Sequence, residues 1–380
     1  MKENKISIIK EVNKNKIINL LANNNEMTKF DIANILGISI PTVTTNINAL
    51  KDMNIVDELE STIYTGGRRP KVIHFNPNSR ISIGIRIALN YIDIVILNLR
   101  KEVIYSESHN IKFVEFDDFM NWSKERIDFI LKENNIDKKN LLGVGISIPG
   151  IINKESNIIE YTNVGMSDVN LNSYINKYDY NLYYDNEANL SLLSEKNYID
   201  DINKQSLLFL SINIGLGGGI VINNEIYGGG SGRAGEFGHM KLMGKTNDYL
   251  DDYLSTCNIV KTYNNKSKDI KIKTFKEFSN LVDMKDELAL DLINIVIERL
   301  SYCIYNLMVI FDPSSILIGG EFSLLLRPYK DLIIKLIQDD IKLPYLKDID
   351  ILFSKNCKSD LIGAALLPLE DFFKLDLQNI

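Results

Sequence analysis

The sequence has little cysteine, and what it has is scattered. Cys257, Cys303 and Cys357 are the only three in 380 residues, and their spacing matches neither a disulfide framework nor a metal-binding pattern. No uninterrupted apolar run reaches the roughly 18 residues that a membrane span needs. No charged segment followed by an apolar one opens the chain, as it would in a secretory leader. These absences predict a cytoplasmic protein with no membrane segment and no disulfide.

The length and the charge distribution both indicate more than one domain. A chain of 380 residues exceeds the size of most single hydrophobic cores. Residues 1–80 carry 11 Lys and Arg against 8 Asp and Glu, whereas the remainder carries 32 against 42. A mildly basic head on an acidic body indicates a nucleic-acid-binding module joined to something else.

Residues 6–37 have the pattern of two helices. Apolar residues recur at near-helical spacing over residues 6–23. Thr28 can cap a second, short helix over residues 29–36. Gly37 then supplies the break, at a position where a positive φ is often needed.

A third helix with a polar outer face is predicted next. Ser39 can cap it, and Pro41 falls in its first turn, where a missing N–H is tolerated. Its buried stripe has i, i+4, i+7 spacing and consists of Val43, Ile47 and Leu50. The candidate base-contacting residues lie outside that stripe: Thr42, Thr44, Thr45 and Asn48. A helix, a glycine-containing turn and a polar-faced helix form a helix-turn-helix, whose second helix enters the major groove.

Two short strands, over residues 55–58 and 72–75, are predicted to form a wing behind this helix. They flank the basic tip Tyr-Thr-Gly-Gly-Arg-Arg-Pro at residues 64–70. Arg68 and Arg69 suit a minor groove, whose negative potential attracts arginine. A three-helix domain with a solvated loop is the alternative. The exposed helix face has Thr and Asn but no Arg, so the sequence does not decide which residues read the bases.

A linker at residues 76–79 leads into the body, in which the same succession of strands and helices occurs twice. Two strands are predicted over residues 81–97, a third over 102–105, a helix over 117–132 and a buried strand over 142–148. The pattern recurs after residue 206, where an apolar strand meets a glycine turn (Gly215, Gly217, Gly218 and Gly219) that we expect to expose backbone N–H groups to a ligand. A later buried strand lies near residues 316–320. Two α/β lobes are therefore predicted.

The most specific motif is Ala-Gly-Glu-Phe-Gly-His at residues 234–239. With the glycine turn before it, this motif resembles the sugar-binding domain of the ROK family, named for repressors, open reading frames and sugar kinases. Residues 33–50 and the Gly-Gly-Arg-Arg-Pro tip resemble the winged-helix end of ROK repressors.

The resemblance implies an α/β fold: an N-terminal winged helix-turn-helix followed by two ribonuclease-H-like lobes of the actin and hexokinase type. The implied domains are a DNA-binding domain at 1–78, a first lobe at 79–185 joined by a C-terminal helix at about 365–380, and a second lobe at 186–364.

The resemblance also implies a sugar site built from amide, carboxylate and imidazole groups, which suit hydroxyls that both donate and accept. The implied ligands are Asn163, Asn186, Glu187, Glu236, His239 and Asp251. Glu187 stands where the kinases have an aspartate as general base, and its extra methylene moves the carboxylate by roughly 1.5 Å. A displacement of about 1 Å can lower a rate on the order of a hundredfold. The alternatives are a helix N-terminal acid for Glu187 and a core imidazole for His239.

Two other parts of the kinase pattern are missing. The phosphate loop has Arg86 in place of the acid that handles Mg²⁺, and Ala88 and Leu89 in place of two glycines. A guanidinium repels Mg²⁺, and the two Cβ atoms would block backbone contact with phosphate. Residues 240–253 contain no cysteine, although many relatives have a zinc-binding cysteine cluster there. No cofactor and no metal are therefore expected.

Together these features predict a regulator that is not an enzyme. We expect a repressor of carbohydrate uptake or catabolism genes, released from a double-stranded DNA operator when a sugar binds in the lobe cleft. A homodimer or dimer of dimers is expected. A neutral sugar is favoured because three carboxylates repel a phosphate, although Arg86 could pair with one. The alternatives are an ATP-dependent sugar kinase with a fused DNA-binding head and a sugar-sensing scaffold that binds a transporter protein.

Overall fold

The computed structural model describes residues 2–24, 26–60, 70–175, 177–198, 205–241, 249–340, 349–354 and 358–374. The chain forms two compact units: the first comprises Met1–Ser147, Asn172–Tyr184 and Ala364–Ile380, and the second comprises Ile148–Leu171 and Asp185–Gly363. This division does not separate the head from the first lobe, and the three domain boundaries given above stay a prediction.

The N-terminal head contains three helices and a small sheet: α1 (Lys2–Ala22), β1 (Glu26–Met27), α2 (Lys29–Leu36), α3 (Ile40–Asp52), β2 (Val56–Glu60) and β3 (Lys71–Phe75). The strand order is β1-β3-β2, and both pairings are antiparallel. The short strand β1 was not predicted. The tip of the wing, residues 61–69, lies outside the described residues, and so do Arg68 and Arg69.

The helix caps of the head are those predicted from the sequence. Thr28 accepts the Asp31 N–H and Asp31 accepts the Thr28 N–H, so a reciprocal capping box begins α2. Gly37 ends α2 in the left-handed region at φ 64°. Ser39 accepts the Thr42 N–H at the start of α3. These local contacts set both ends of α2 and the start of α3.

The first unit continues with a mixed sheet and a long helix: β4 (Ile81–Ile87), β5 (Ile92–Asn98), β6 (Val103–His109), α4 (Phe116–Glu133) and β7 (Leu141–Ile148), with β11 defined below. The strand order is β11-β7-β4-β5-β6, with β4 antiparallel to β5 and parallel to β7. This confirms the predicted succession of three strands, a helix and a strand.

The remaining elements belong to the second unit, except that β11 and α11 run through both: β8 (Gly150–Asn153), β9 (Ile158–Thr162), β10 (Ser167–Asn170), β11 (Leu182–Asn186), α5 (Glu187–Tyr198), β12 (Ser206–Ile212), β13 (Leu216–Ile222), β14 (Glu225–Ile226), α6 (Thr256–Lys266), α7 (Phe275–Asp283), α8 (Glu287–Phe311), β15 (Ser315–Gly319), α9 (Glu321–Leu326), α10 (Lys330–Asp340), β16 (Asp350–Phe353) and α11 (Ser359–Phe373). The larger sheet has the order β14-β13-β12-β15-β16. As in the first sheet, the central strand β12 is antiparallel to the next strand and parallel to a later one.

Helix α8 packs against this sheet and forms much of the core of the second unit. By length and composition it could also cross a membrane, and among the described residues it alone meets that test. Half of its apolar stretch is buried within the unit. Buried core helices commonly meet the same test, so the helix is weak evidence for a membrane segment.

Candidate functional sites

One cavity of about 250 Å³ lies entirely within the second unit. The residues that line it are Gly150, Ile151, Tyr161, Asn163, Asn186, Glu187, Ala188, Gly215, Leu216, Gly217, Gly218, Glu236, Gly238, His239 and Asp251. All six predicted sugar ligands are among them. The fold thus brings together side chains that lie up to 88 positions apart in the chain, from Asn163 to Asp251.

The turn after β9 carries Asn163 to the cavity. The Asn163 N–H donates to the Pro149 carbonyl at 2.9 Å, and the buried Thr162 hydroxyl bonds both the N–H and the carbonyl of Met166. Gly165 has φ 95°, a conformation that other residues rarely adopt. The Asn163 side chain itself is exposed at the cavity wall.

The start of α5 carries Asn186 and Glu187. Asn186 Oδ1 accepts the Asn189 N–H at 2.8 Å, so this oxygen caps the helix. Asp185 holds the turn, because its Oδ1 accepts the Asn186 N–H at 2.8 Å and Asn189 Nδ2 at 3.0 Å. Glu187 is the first residue of α5, where the helix dipole favours an acid. The helix-terminal alternative for Glu187 and its place in the cavity are therefore compatible.

Asp251 joins its own segment of the cavity lining to the start of β13. Its Oδ1 accepts the Leu216 N–H at 2.6 Å, across 35 residues of chain. A Cβ on Gly238 would lie 2.5 Å from the Leu216 carbonyl oxygen and 3.3 Å from the Asp251 side chain. Only glycine at 238 allows the segment between Glu236 and His239 to approach so closely. His239 is exposed, with its ring edge-on to Tyr249 at 6.3 Å.

Two acids of the cavity, Glu236 and Asp251, lie in an environment that disfavours their charge. Burial raises the pKa of the Glu236 carboxyl, and nearby His239 opposes that shift. Burial also raises the pKa of Asp251, against the hydrogen bond from the Leu216 N–H, which lowers it. A hydrogen-bond donor brought next to either carboxyl would stabilise its charged form.

A Glu236→Gln variant is expected to have a higher free energy of unfolding than the wild type at neutral pH. Because the folded pKa of Glu236 is raised, protonation favours the folded state. That contribution is fully present below the ordinary value of 4.5 and is lost as the pH rises through the folded pKa. Thermal melting from pH 7 down to pH 4.5 should show the advantage of the variant shrinking. Glu225→Gln, at an exposed acid outside the cavity, should show no such pH-dependent difference, and equal behaviour of the two variants would contradict the interpretation.

The glycines at 217–219 lie at the cavity, which Gly217 and Gly218 line, but not in the turn where they were predicted. They do not form an open turn but lie within β13, paired with β12. A Cβ on Gly218 would overlap the Phe237 ring and lie 2.7 Å from the Phe209 carbonyl, and one on Gly219 would lie 2.7 Å from Leu192. These glycines therefore allow the Glu236 segment and α5 to pack directly on the strand, and only Gly215 lies in the turn.

Sequence reasoning missed several residues of this site. Tyr161 and Ile151 line the cavity and add apolar surface to its polar wall. Lys154 forms an ion pair with Asp185, and Arg233 forms one with Glu160. The Pro149-Gly150 pair at the end of a predicted strand was the one local signal for this region, because a turn at a strand end often carries binding residues.

The first unit shows what occupies the place of the kinase phosphate loop. Arg86 lies opposite Asp93 on β5, with Nη1 3.5 Å from Oδ2, and its guanidinium lies over the Tyr91 ring at 5.5 Å. The Ala88 N–H donates to the Tyr91 carbonyl at 3.0 Å. A guanidinium held by an acid of its own sheet is poorly suited to recruit a phosphate. The residues of this loop do not fit a Mg²⁺ ion or a nucleotide phosphate.

Zinc does not fit either. In the part of the chain that the structure describes, no group of three or more His, Cys, Asp or Glu side chains could hold a metal ion. Residues 240–253 supply no thiolate, and tetrahedral zinc sites of this kind need several.

The predicted DNA-contacting residues lie on α3 with unequal exposure. Thr45 and Asn48 are exposed, whereas Thr42 and Thr44 are half-buried. The Thr42 hydroxyl lies 2.8 Å from the Ser39 hydroxyl, and the Thr45 hydroxyl donates to the Pro41 carbonyl at 3.1 Å. The stripe opposite (Val43, Ile47, Leu50) is fully buried, as predicted.

Comparison with known proteins finds a matching family for the head and another for the body. A family model described as "ROK family" matches residues 82–370, and one described as "Winged helix-turn-helix DNA-binding" matches residues 10–57. The chain therefore belongs to the ROK family. It combines the ROK body with an N-terminal winged helix-turn-helix.

Relatives include both regulators and enzymes. The xylose repressor of Bacillus spizizenii is 26% identical over 323 residues, covering 83% of this chain and 83% of that protein. The N-acetyl-D-glucosamine kinase of Haemophilus influenzae is 28% identical over 264 residues, covering 63% of this chain and 84% of the kinase. A crystal structure of a ROK family transcriptional regulator, a homologue of the E. coli MLC protein, has a TM-score of 0.81 at 21% identity. It covers 96% of this chain and 97% of that one, which shows the shared fold.

Proposed function

We propose that the protein is a sugar-responsive transcriptional repressor that is not an enzyme. The observation that carries the proposal is the combination of a winged helix-turn-helix with one cavity lined by Asn163, Asn186, Glu187, Glu236, His239 and Asp251. The head binds a DNA operator and the cavity binds a sugar. The regulated genes are those of carbohydrate uptake or catabolism, and the protein acts in the cytoplasm as a homodimer or dimer of dimers.

A neutral sugar is the effector that the charges favour. Three carboxylates line the cavity (Glu187, Glu236 and Asp251), and at close range each would repel a phosphate dianion. Arg86 does not offset them, because it is paired with Asp93 in the first unit. The relatives named for xylose make D-xylose the first sugar to test.

A sugar regulates DNA binding only if the state that binds the sugar differs in DNA affinity. The two sites then share one conformational equilibrium, and the ligand shifts it by no more than its difference in affinity for the two states. A contiguous element for such coupling is α11, whose Gly363 lies close to the Leu190 backbone of α5 and whose C-terminal end is followed by a hydrogen bond to the head. The Lys374 carbonyl, directly after α11, accepts Asn15 Nδ2 of α1 at 2.9 Å.

The test is a DNA-binding titration with and without sugar. Full-length protein is titrated into fluorescent duplexes selected from a random-sequence library, and neutral pentoses, hexoses and their phosphate esters are then added. We expect nanomolar-range duplex binding that falls with salt and is released by one neutral sugar. Release by a phosphate ester alone would contradict the neutral effector, and absence of any duplex binding would contradict the repressor.

A sugar kinase with a fused head is the second candidate, since kinases occur among the relatives. Against it stand Arg86, Ala88 and Leu89 in the phosphate loop and the longer Glu187 at the base position. ATP-dependent phosphorylation that disappears in Glu187→Ala would establish the kinase.

A further inference from the structure

The start of α3 presents an apolar surface where a recognition helix meets base edges. Ile40 is the first residue of α3 and its side chain is 48% exposed. Pro41 beside it is also exposed. In helix-turn-helix proteins the N-terminal residues of this helix contact the bases. An apolar contact in the major groove has one natural partner, the C5 methyl group of thymine.

The threonines of α3 reinforce this apolar character. The Thr42 and Thr45 hydroxyls are bonded to Ser39 and to the Pro41 carbonyl within the helix start itself. Because the hydroxyls are used within the helix, the methyl groups are the part of these side chains that is left for an apolar contact. Thr45 is exposed, so its methyl group is accessible to a groove.

The polar groups of this surface select the same base pair. Asn48 is exposed one turn further along α3, and an asparagine amide reads adenine through N6 and N7. Guanine is read mainly by Arg or Lys. Residues 40–50 of α3 contain neither, since the helix sequence is Ile-Pro-Thr-Val-Thr-Thr-Asn-Ile-Asn-Ala-Leu up to Lys51.

We propose that α3 recognises A·T base pairs, with Ile40 and Thr45 contacting thymine methyl groups and Asn48 contacting adenine. This inference rests on the proposed DNA-binding function and adds to it the chemistry of the half-site. Ile40 is then a specificity-determining residue, although it is neither polar nor charged as most base-reading residues are.

Deoxyuridine substitution tests the inference, because it removes the thymine methyl group and nothing else. Duplexes are selected from a random library by full-length protein, and each thymine of the half-site is replaced in turn. At the contacted positions we expect affinity to fall about fourfold per methyl group, the value of one buried methylene. The selected half-sites should be A·T-rich at the positions that α3 covers.

The Ile40→Ala variant tests whether the Ile40 side chain itself contacts the thymine methyl group or whether the protein only prefers A·T-rich duplexes. The variant should bind thymine and deoxyuridine duplexes equally at the position that Ile40 contacts and keep the wild-type difference at the position that Thr45 contacts. Ile35→Ala is the matched control, since Ile35 is 62% exposed but lies in α2, and it should keep the wild-type difference. Duplex binding with no thymine–deoxyuridine difference in wild type would overturn the inference alone. Absence of any duplex binding would overturn the proposed function with it.

Discussion

A Glu236→Ala variant is expected to lose sugar binding while keeping its fold and its DNA binding. Glu236 is a partly buried acid of the cavity, and burial raises its pKa. A hydrogen bond from a sugar hydroxyl to such a carboxylate contributes about 1.5–3 kcal/mol. Calorimetric titration with the effector sugar should therefore show affinity lower by about 10- to 150-fold.

The same variant should behave as a repressor that the sugar no longer releases. Its duplex affinity without sugar should equal that of the wild type, because the head is unchanged. Glu225→Ala is the control, at an exposed acid of the same unit that lies outside the cavity. Wild-type sugar affinity in Glu236→Ala would show that the cavity is not the sugar site. Loss of duplex binding in this variant would show that it damages more than that site.

A Gly363→Val variant is expected to destabilise the protein strongly. Gly363 lies in α11, and a Cβ at this position would overlap the backbone carbonyl of Leu190 in α5. Backbone cannot move aside as a flexible side chain can, so α5 and α11 must separate. Overpacking of this kind costs about 1–3 kcal/mol and more when backbone must shift, which corresponds to roughly 2–12 °C in melting temperature for a unit of this size.

A glycine in open space provides the control for this experiment. A Cβ on Gly230 would have no atom within 4 Å, and the residue has no positive φ, so Gly230→Val should change the melting temperature little. Gly363→Ala should lie between the two, although alanine is the better helix former. Equal melting temperatures for Gly363→Val and wild type would show that the close approach of the two helices is absent in solution.

The caps of α2 and α3 could be predicted to the residue because their determinants are local, whereas α1 runs over Lys2–Ala22 and not over the predicted residues 6–23. The capping box of α2, its Gly37 end and the Ser39 cap of α3 all act over three or four positions. Such contacts form wherever the chain has the right neighbours, whatever the rest of the molecule does. Strand ends were less exact: β6 runs over Val103–His109, beyond the predicted 102–105, because pairing with β5 extends it.

The glycines of β13 show where local interpretation was wrong about the structure: Gly217 and Gly218 line the cavity, but they lie in a strand and not in a turn. A glycine-rich sequence after a strand suggests a ligand-binding turn, since glycine is the residue that permits one. Here the glycines accommodate Phe237 and Leu192, side chains distant in sequence. A missing side chain has the same sequence signature whether a ligand or another part of the protein takes the space.

The sequence by itself determined the helix-turn-helix, the succession of strands and helices, the family, and the residue types of the cavity. The tertiary structure alone decided that those residues line one cavity, that Asn186 Oδ1 is used for capping, and that Asp251 holds the Leu216 N–H. The physical reason is range. Caps and hydrophobic periodicity act between near neighbours, whereas burial, pairing of charges and close packing depend on residues that only the folded chain brings into contact.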